Sequence, residues 1–259
     1  MSARRVRGAL SGVLPWIVLL AAMASWEAVV RINQIPPYKL PAPSAVLAAL
    51  VADRSMLLPA LGVTLEITAL AFATALAGGV GMGILLTRSR WAEAAFSPFA
   101  VILQVMPLVA VAPVIVIYAG VEATVAISAF LVAFFPVLAG TMAGLSASDR
   151  GLADLFRLHR AKPWQRLLWL ELPTAVPFII AGVRTAAGLS LIGAVVAEFV
   201  AGTGGAQAGL AYRLVEASYR LNVPRLFAAA ILICLAGVAI HAAVGIVSRV
   251  LLRRWRPGS

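Results

Sequence analysis

Long apolar runs alternate with short polar ones along most of the chain. Runs near or above the ~20 residues a bilayer requires fall at about residues 13–30, 60–86, 94–118, 124–145, 175–200 and 226–252. The pattern predicts an all-α membrane protein of about six spanning helices, a single transmembrane domain over 1–259 with no soluble domain around it. The segment 94–118 carries Pro98, Pro107 and Pro113 besides Gln104. Prolines free backbone carbonyls, which are tolerated only against protein or a wet cavity, so this span is expected inside the bundle. A tight turn is expected at Gly120. Gly79-x-x-x-Gly83 and Gly140-x-x-x-Gly144 allow close helix approach. Residues 203–224, with Gly204, Gly205 and Gly209, read as a polar loop.

One stretch breaks the alternation. Residues 148–173 are strongly charged and lie between apolar runs. Leu152, Leu155, Phe156 and His159 recur at helical spacing and form one stripe. Ser148 or Asp149 is a plausible N-cap, and Pro163 marks a boundary. A second short helix is expected from Pro163 towards Pro173. Such a hairpin suits a docking element, and an amphipathic linker on the membrane surface fits the same pattern.

Composition supports the membrane reading. The 259 residues are 62% hydrophobic and 12% charged, about half the charge of a soluble domain, and the mean hydropathy is +0.99. The net charge of +11 does not indicate nucleic acid, because the basic residues sit in short loops, where they report topology. Fourteen lie on the side of the N-terminus and six on the other, with Arg184 inside a span. Both termini and the hairpin are therefore expected in the cytoplasm. The basic start and first apolar run are read as a retained span rather than a cleaved signal. Cys234 stands alone in an apolar run and has neither a disulfide nor a metal partner in the sequence.

Enzymatic motifs are missing. There is no G-x-x-x-x-G-K-[ST] loop, no H-E-x-x-H and no G-x-S-x-G. His159 and His241 have no neighbours in sequence that would make a triad or a metal site. The chain is not expected to be an enzyme or to bind ATP itself. Ionisable groups within spans are costly and point to function or to structural pairing. Arg184 and Glu198 are fourteen residues apart, on one side of a helix and about 21 Å apart along it. Both readings stay open for them, and Glu66 is a possible partner of Arg184. Gln104 is read as a pathway candidate or a helix–helix hydrogen bond.

The hairpin, the Leu172-Pro173 pair and the following Gly-Val-Arg…Gly-Leu-Ser-Leu-Ile-Gly-Ala-Val-Val-Ala-Glu-Phe resemble the inner-membrane permease subunits of ATP-binding-cassette importers of the nitrate/alkanesulfonate/taurine type. The likeness extends over nearly the whole chain, including Leu40-Pro41-Ala-Pro43-Ser44. Aligned on Leu172-Pro173, the acidic position of the family's cytoplasmic signature falls on Asp154 and its glycine on Arg160. A non-glycine there implies a turn that is strained or differently shaped. The resemblance implies a homodimer in a bacterial-type inner membrane, an ATPase subunit carrying ATP-Mg, and an extracytoplasmic substrate-binding protein. It implies ATPase docking through Leu152, Asp154, Leu155, Phe156, His159 and Arg160, and makes Gln104, Arg184 and Glu198 pathway or gate candidates. Sulfonate- or nitrate-like anions and heterocyclic vitamin precursors are the implied substrate classes. The polar segment holding Tyr212, Arg213, Glu216, Tyr219 and Arg220 keeps the heterocycle open. A secondary transporter or channel without an ATPase, or a membrane scaffold, is the alternative that residue patterns alone leave standing.

Overall fold

The computed structural model describes residues 3–202 and 208–255. These form helices α1 (Ala3–Ile32), α2 (Pro43–Ala52), α3 (Arg54–Thr87), α4 (Arg90–Val105), α5 (Leu108–Ala119), α6 (Val121–Ser146), α7 (Arg150–Leu158), α8 (Pro163–Arg166), α9 (Leu172–Ala201), α10 (Leu210–Tyr219) and α11 (Val223–Trp255). A π-helical turn, Leu167–Glu171, joins α8 to α9. Among the described residues, five helices are long and apolar enough to cross a membrane: Leu14–Ile32, Arg54–Thr87, Val121–Ser146, Pro163–Ala201 and Val223–Arg253.

The expected span at 94–118 is not one straight helix. It is α4 and α5, bent by 103° at Met106 and Pro107. Proline disfavours the α conformation at the residue before it, and Met106 is extended (φ −67°, ψ 125°). Pro107 is extended as well (φ −69°, ψ 106°). Pro59, Pro98, Pro113 and Pro136 stay inside continuous helices. The second hairpin helix also departs from expectation. It does not stop near Pro173 but continues through the π turn into α9, as one apolar stretch of 39 residues.

The helices gather in two compact units, Met1–Pro59 with Arg213–Leu232, and Ala60–Tyr212 with Ile233–Ser259. In the first, Glu27 accepts from the Ser44 backbone N–H (3.0 Å) and hydroxyl (2.7 Å), fixing the start of α2. Arg225 makes a two-pronged ion pair with Asp53 at 2.6 and 2.8 Å. Trp26 packs on Phe227 with ring centroids 5.8 Å apart. In the second unit, α6 packs along α9. A Cβ on Gly140 would lie 2.8 Å from the Phe178 carbonyl oxygen, and one on Gly144 2.7 Å from Ala175 Cα. Gly79 and Gly83 bring α3 equally close to Val137 and Thr141 of α6. Both glycine pairs seen in the sequence thus sit at close helix contacts. Phe134 stacks edge-on against Phe135 in the core beside them.

Candidate functional site

The charged hairpin begins with a capped helix. Asp149 accepts from the Leu152 N–H at 2.9 Å, satisfying one open donor of α7. The helix ends in a reverse turn whose two bonds define a Schellman motif: Ala161 N–H to Phe156 C=O and Arg160 N–H to Arg157 C=O, both 2.9 Å. This motif places its penultimate residue in the left-handed region, where glycine is favoured. Arg160 holds that position at φ +52°. The turn therefore keeps the geometry of a glycine turn and carries its strain. Lys162 N–H then donates to Gln165 Oε1 at 2.7 Å, and Pro163 opens α8.

The stripe on α7 divides. Leu152 and Leu155 are exposed at 49% and 47%. His159 is exposed too, its Nδ1 2.9 Å from the Leu155 carbonyl. Asp154 is exposed and pairs loosely with Arg157 at 3.4 Å. Phe156 is only partly buried and lines a cavity with the chain's own Thr87, Arg88 and Glu171. Ala153, on the same side as Phe156, is buried.

Behind the hairpin lies a residue that pattern reading passed over. Glu171, at the end of the π turn, is 5% exposed. Arg88, just past the end of α3, donates to Glu171 Oε2, and Arg166 Nε lies 2.8 Å from Glu171 Oε1. A π turn inserts one residue per turn and rotates the residues after it, and this one ends on the ion-paired carboxylate. The signal in the sequence was a lone acid in the run Leu-Leu-Trp-Leu-Glu-Leu-Pro.

At the far end of α9, Glu198 is 3% exposed. The Thr64 hydroxyl lies 2.8 Å from its Oε1, and the Ala211 N–H donates to Oε2 at 2.9 Å. Thr64 Oγ1 in turn accepts from the Leu210 N–H at 2.8 Å. Leu210 and Ala211 are the first two residues of α10, so side chains of α3 and α9 cap a third helix. A Cβ on Gly209 would collide with the Glu198 carboxylate. Part of the expected polar loop is thus helical: α10 is ordered by this cap at one end and a Schellman turn at the other. There Asn222 N–H bonds Ala217 C=O and Leu221 sits at φ +55°. Gly204 and Gly205 lie outside the described residues.

Arg184 and Glu198 share a helix side but not an environment. Arg184 is exposed and lines a groove with Thr185, Ile192 and His241. Glu66 is not its partner. It lines a cavity of about 380 Å³ with Glu122 and Glu198 instead. Gln104 is exposed, ahead of the α4–α5 break, beside Met106 and Phe135.

On α10, Glu216 accepts from Arg213 Nη1 at 2.9 Å and pairs with Arg220 at 2.8 Å. The Arg213 hydrogen bond, with the charges of Arg220 and Arg225, holds its carboxyl below the usual carboxylate range against a smaller opposing effect of burial.

A family model described as "Binding-protein-dependent transport system inner membrane component" matches residues 75–257. The riboflavin transport system permease protein of Chloroflexus aurantiacus is 31% identical over 246 residues, 92% of this chain and 88% of that one. The formylaminopyrimidine transport permease protein of Halalkalibacterium halodurans is 30% identical over 246 residues, covering 93% and 95% of the two chains. A permease of Bacillus subtilis assigned to aliphatic sulfonates transport is 27% identical over 259 residues, covering 98% and 90%. The match begins in α3 and takes in the hairpin, the π turn, and α9 with Glu198, and the chain belongs to the family of binding-protein-dependent transport system inner-membrane components.

Proposed function

We propose that this permease is one half of a homodimer, that its α7 hairpin seats in a groove of the ATPase subunit, and that its cargo is a small aromatic heterocycle. The class itself comes from the family: a multi-pass inner-membrane permease of an ATP-binding-cassette importer for small solutes, a transporter rather than an enzyme. Its partners in general are an ATPase and a substrate-binding protein. ATP with Mg²⁺ is then held by the ATPase subunit and not by this chain, in keeping with the missing phosphate loop.

One observation carries the docking assignment. Leu152 and Leu155 stand exposed, side by side, on a short charged helix outside the candidate spans. Buried apolar anchors with a charged rim are the usual anatomy of an interface. ATP binding would draw two such hairpins together and shift the bundle between inward- and outward-facing populations. Arg184 supports the second copy. An arginine on the open face of α9 is expensive against lipid, so that face is covered by a protomer or lines a wet path. Glu198 has its oxygens committed to Thr64 and Ala211, which favours a positioning role at the gate end over direct contact with cargo. Both termini face the cytoplasm in this reading, by the distribution of arginines.

The relatives named for riboflavin and formylaminopyrimidine are more similar than the one assigned to sulfonates, and this favours the heterocycle. Ligand binding by the partner binding protein tests that: tight binding of an alkanesulfonate and none of a flavin or pyrimidine would reverse it. For docking, Leu152→Ala with Leu155→Ala removes two anchors worth about 1.5–3 kcal/mol each when fully buried. Even half of that weakens the complex by about tenfold or more. Co-purification of the ATPase subunit with the variant measures this, and unchanged association leaves α7 as a surface linker.

A further inference from the structure

Between α7, α6 and the end of α3 lies a cavity of about 670 Å³ with a mostly polar wall. Arg88, Arg90, Arg150, Arg157 and Arg166 line it, against two acids, Asp154 and Glu171. The acids are already engaged: Glu171 by Arg88 and Arg166, Asp154 by Arg157. Arg90 and Arg150 have no ion-pair partner among the described residues. Ser146 and Ser148 add hydroxyls to the same wall. Arginines scattered at the ends of spans need only topology to explain them. Five from three segments (the α3–α4 junction, α7 and α8) on one concavity call for more, because their mutual repulsion is relieved by an anion between them.

The depth of the cavity is marked by tryptophans. Trp91 follows Arg90, and Trp164 and Trp169 flank Arg166; they are exposed at 87%, 54% and 73%. Exposed tryptophans on a membrane protein collect at the headgroup level. Guanidinium groups match the oxygens of a phosphate in two-pronged geometry, and basic recesses between spans at this level suit phospholipid headgroups.

We propose that this cavity binds a phosphate group, supplied by the headgroup of an anionic phospholipid at the membrane edge behind the docking hairpin. Because Ala153, Asp154 and Arg157 of α7 form part of its wall, an occupant braces the helix that meets the ATPase. The binding site itself is independent of the cargo and of the docking partner; only its bracing effect rests on the proposed docking of α7.

The purified full chain, titrated in detergent with phosphatidylglycerol, phosphatidylcholine or soluble glycerol 3-phosphate, tests it by native mass spectrometry. Phosphatidylglycerol is retained and phosphatidylcholine is not. Arg90→Gln with Arg150→Gln weakens retention roughly thirtyfold, at about one arginine's surface contribution each, and Arg90→Lys keeps most of it. Glycerol 3-phosphate binding that the double variant loses also supports the site and makes a free phosphate its source. If the double variant does not fold, Arg150→Gln alone serves, with a smaller loss. Equal retention of both lipids, or identical binding by wild type and variant, overturns the proposal.

Discussion

Two buried carboxylates on one continuous helix are handled in opposite ways. Glu171 is surrounded by charge, with Arg88 and Arg166 on its two oxygens. Among the described residues Glu198 has no cation in contact; a threonine hydroxyl and the first turn of α10 hold it. Charge pairing tolerates motion, because long guanidinium side chains can follow a shifting partner. Capping by backbone N–H does not, because α10 must stay in register for the bonds to exist. The hairpin end is thereby held by ion pairs and the Glu198 end by bonds to backbone N–H.

The comparison is broken most severely at the hairpin end. Removing both Arg88 and Arg166 by alanine leaves Glu171 buried without a cation. The expected loss is about 3 kcal/mol, at the low end for a broken buried pair because the guanidiniums are about a third exposed (35% and 33%). Thermal unfolding of the double variant measures it, with Glu171→Gln added as rescue; no rescue would mean the pair is incidental.

At the other end, Gly209→Ala drives a methyl into the Glu198 carboxylate. About 2 kcal/mol of destabilisation is expected from the forced shift, with faster amide exchange at the start of α10. Glu198→Gln keeps an acceptor and should cost less than about 1 kcal/mol. Transport abolished by Glu198→Gln with α10 exchange unchanged would give Glu198 a direct role at the gate.

Arg160→Gly relieves the left-handed strain and should stabilise the hairpin by about 1 kcal/mol, read from local amide exchange on α7. A weakened ATPase complex despite a more stable turn would show that the Arg160 side chain itself contacts the partner.

The smallest effect belongs to Glu216. Its folded-state pKa is depressed, first by the Arg213 hydrogen bond. Its stabilisation is therefore complete above the ordinary carboxylate value, about 4.3, and is lost as pH falls through the depressed folded value. Glu216→Gln should flatten the stability profile in that acid window and remove a pH-independent increment near neutrality; an unaltered acid limb would remove the ion pairs with Arg213 and Arg220 from the account.

Much of the architecture was legible from residues alone, for physical reasons that act locally. Apolar runs must meet the thickness of a bilayer, so the spanning helices announce themselves. Asp149 three residues before the Leu152 N–H, and Pro163 at a helix start, are short-range signals of helix starts, and both stand at one. Gly79, Gly83, Gly140 and Gly144 marked the close contacts because only a missing Cβ permits them. The family resemblance, rather than the residues alone, marked Arg160 as standing where a glycine is usual and implied a turn either strained or differently shaped; φ +52° is the strained alternative.

Tertiary structure decided the rest. Pro59, Pro98, Pro113 and Pro136 lie in or beside long apolar runs much as Pro107 does, yet they stay in continuous helices while the chain turns by 103° at Met106-Pro107. α10 looked like a polar loop because the groups that cap it, Thr64 and Glu198, are 146 and 13 residues away from their N–H partners. Glu171 looked like a stray acid until the π turn and the end of α3 brought two arginines onto it. Sequence sets what the backbone prefers over a few residues and which segments leave water. Which buried charge meets a cation, and which meets a helix end, depends on contacts that only the packed bundle creates.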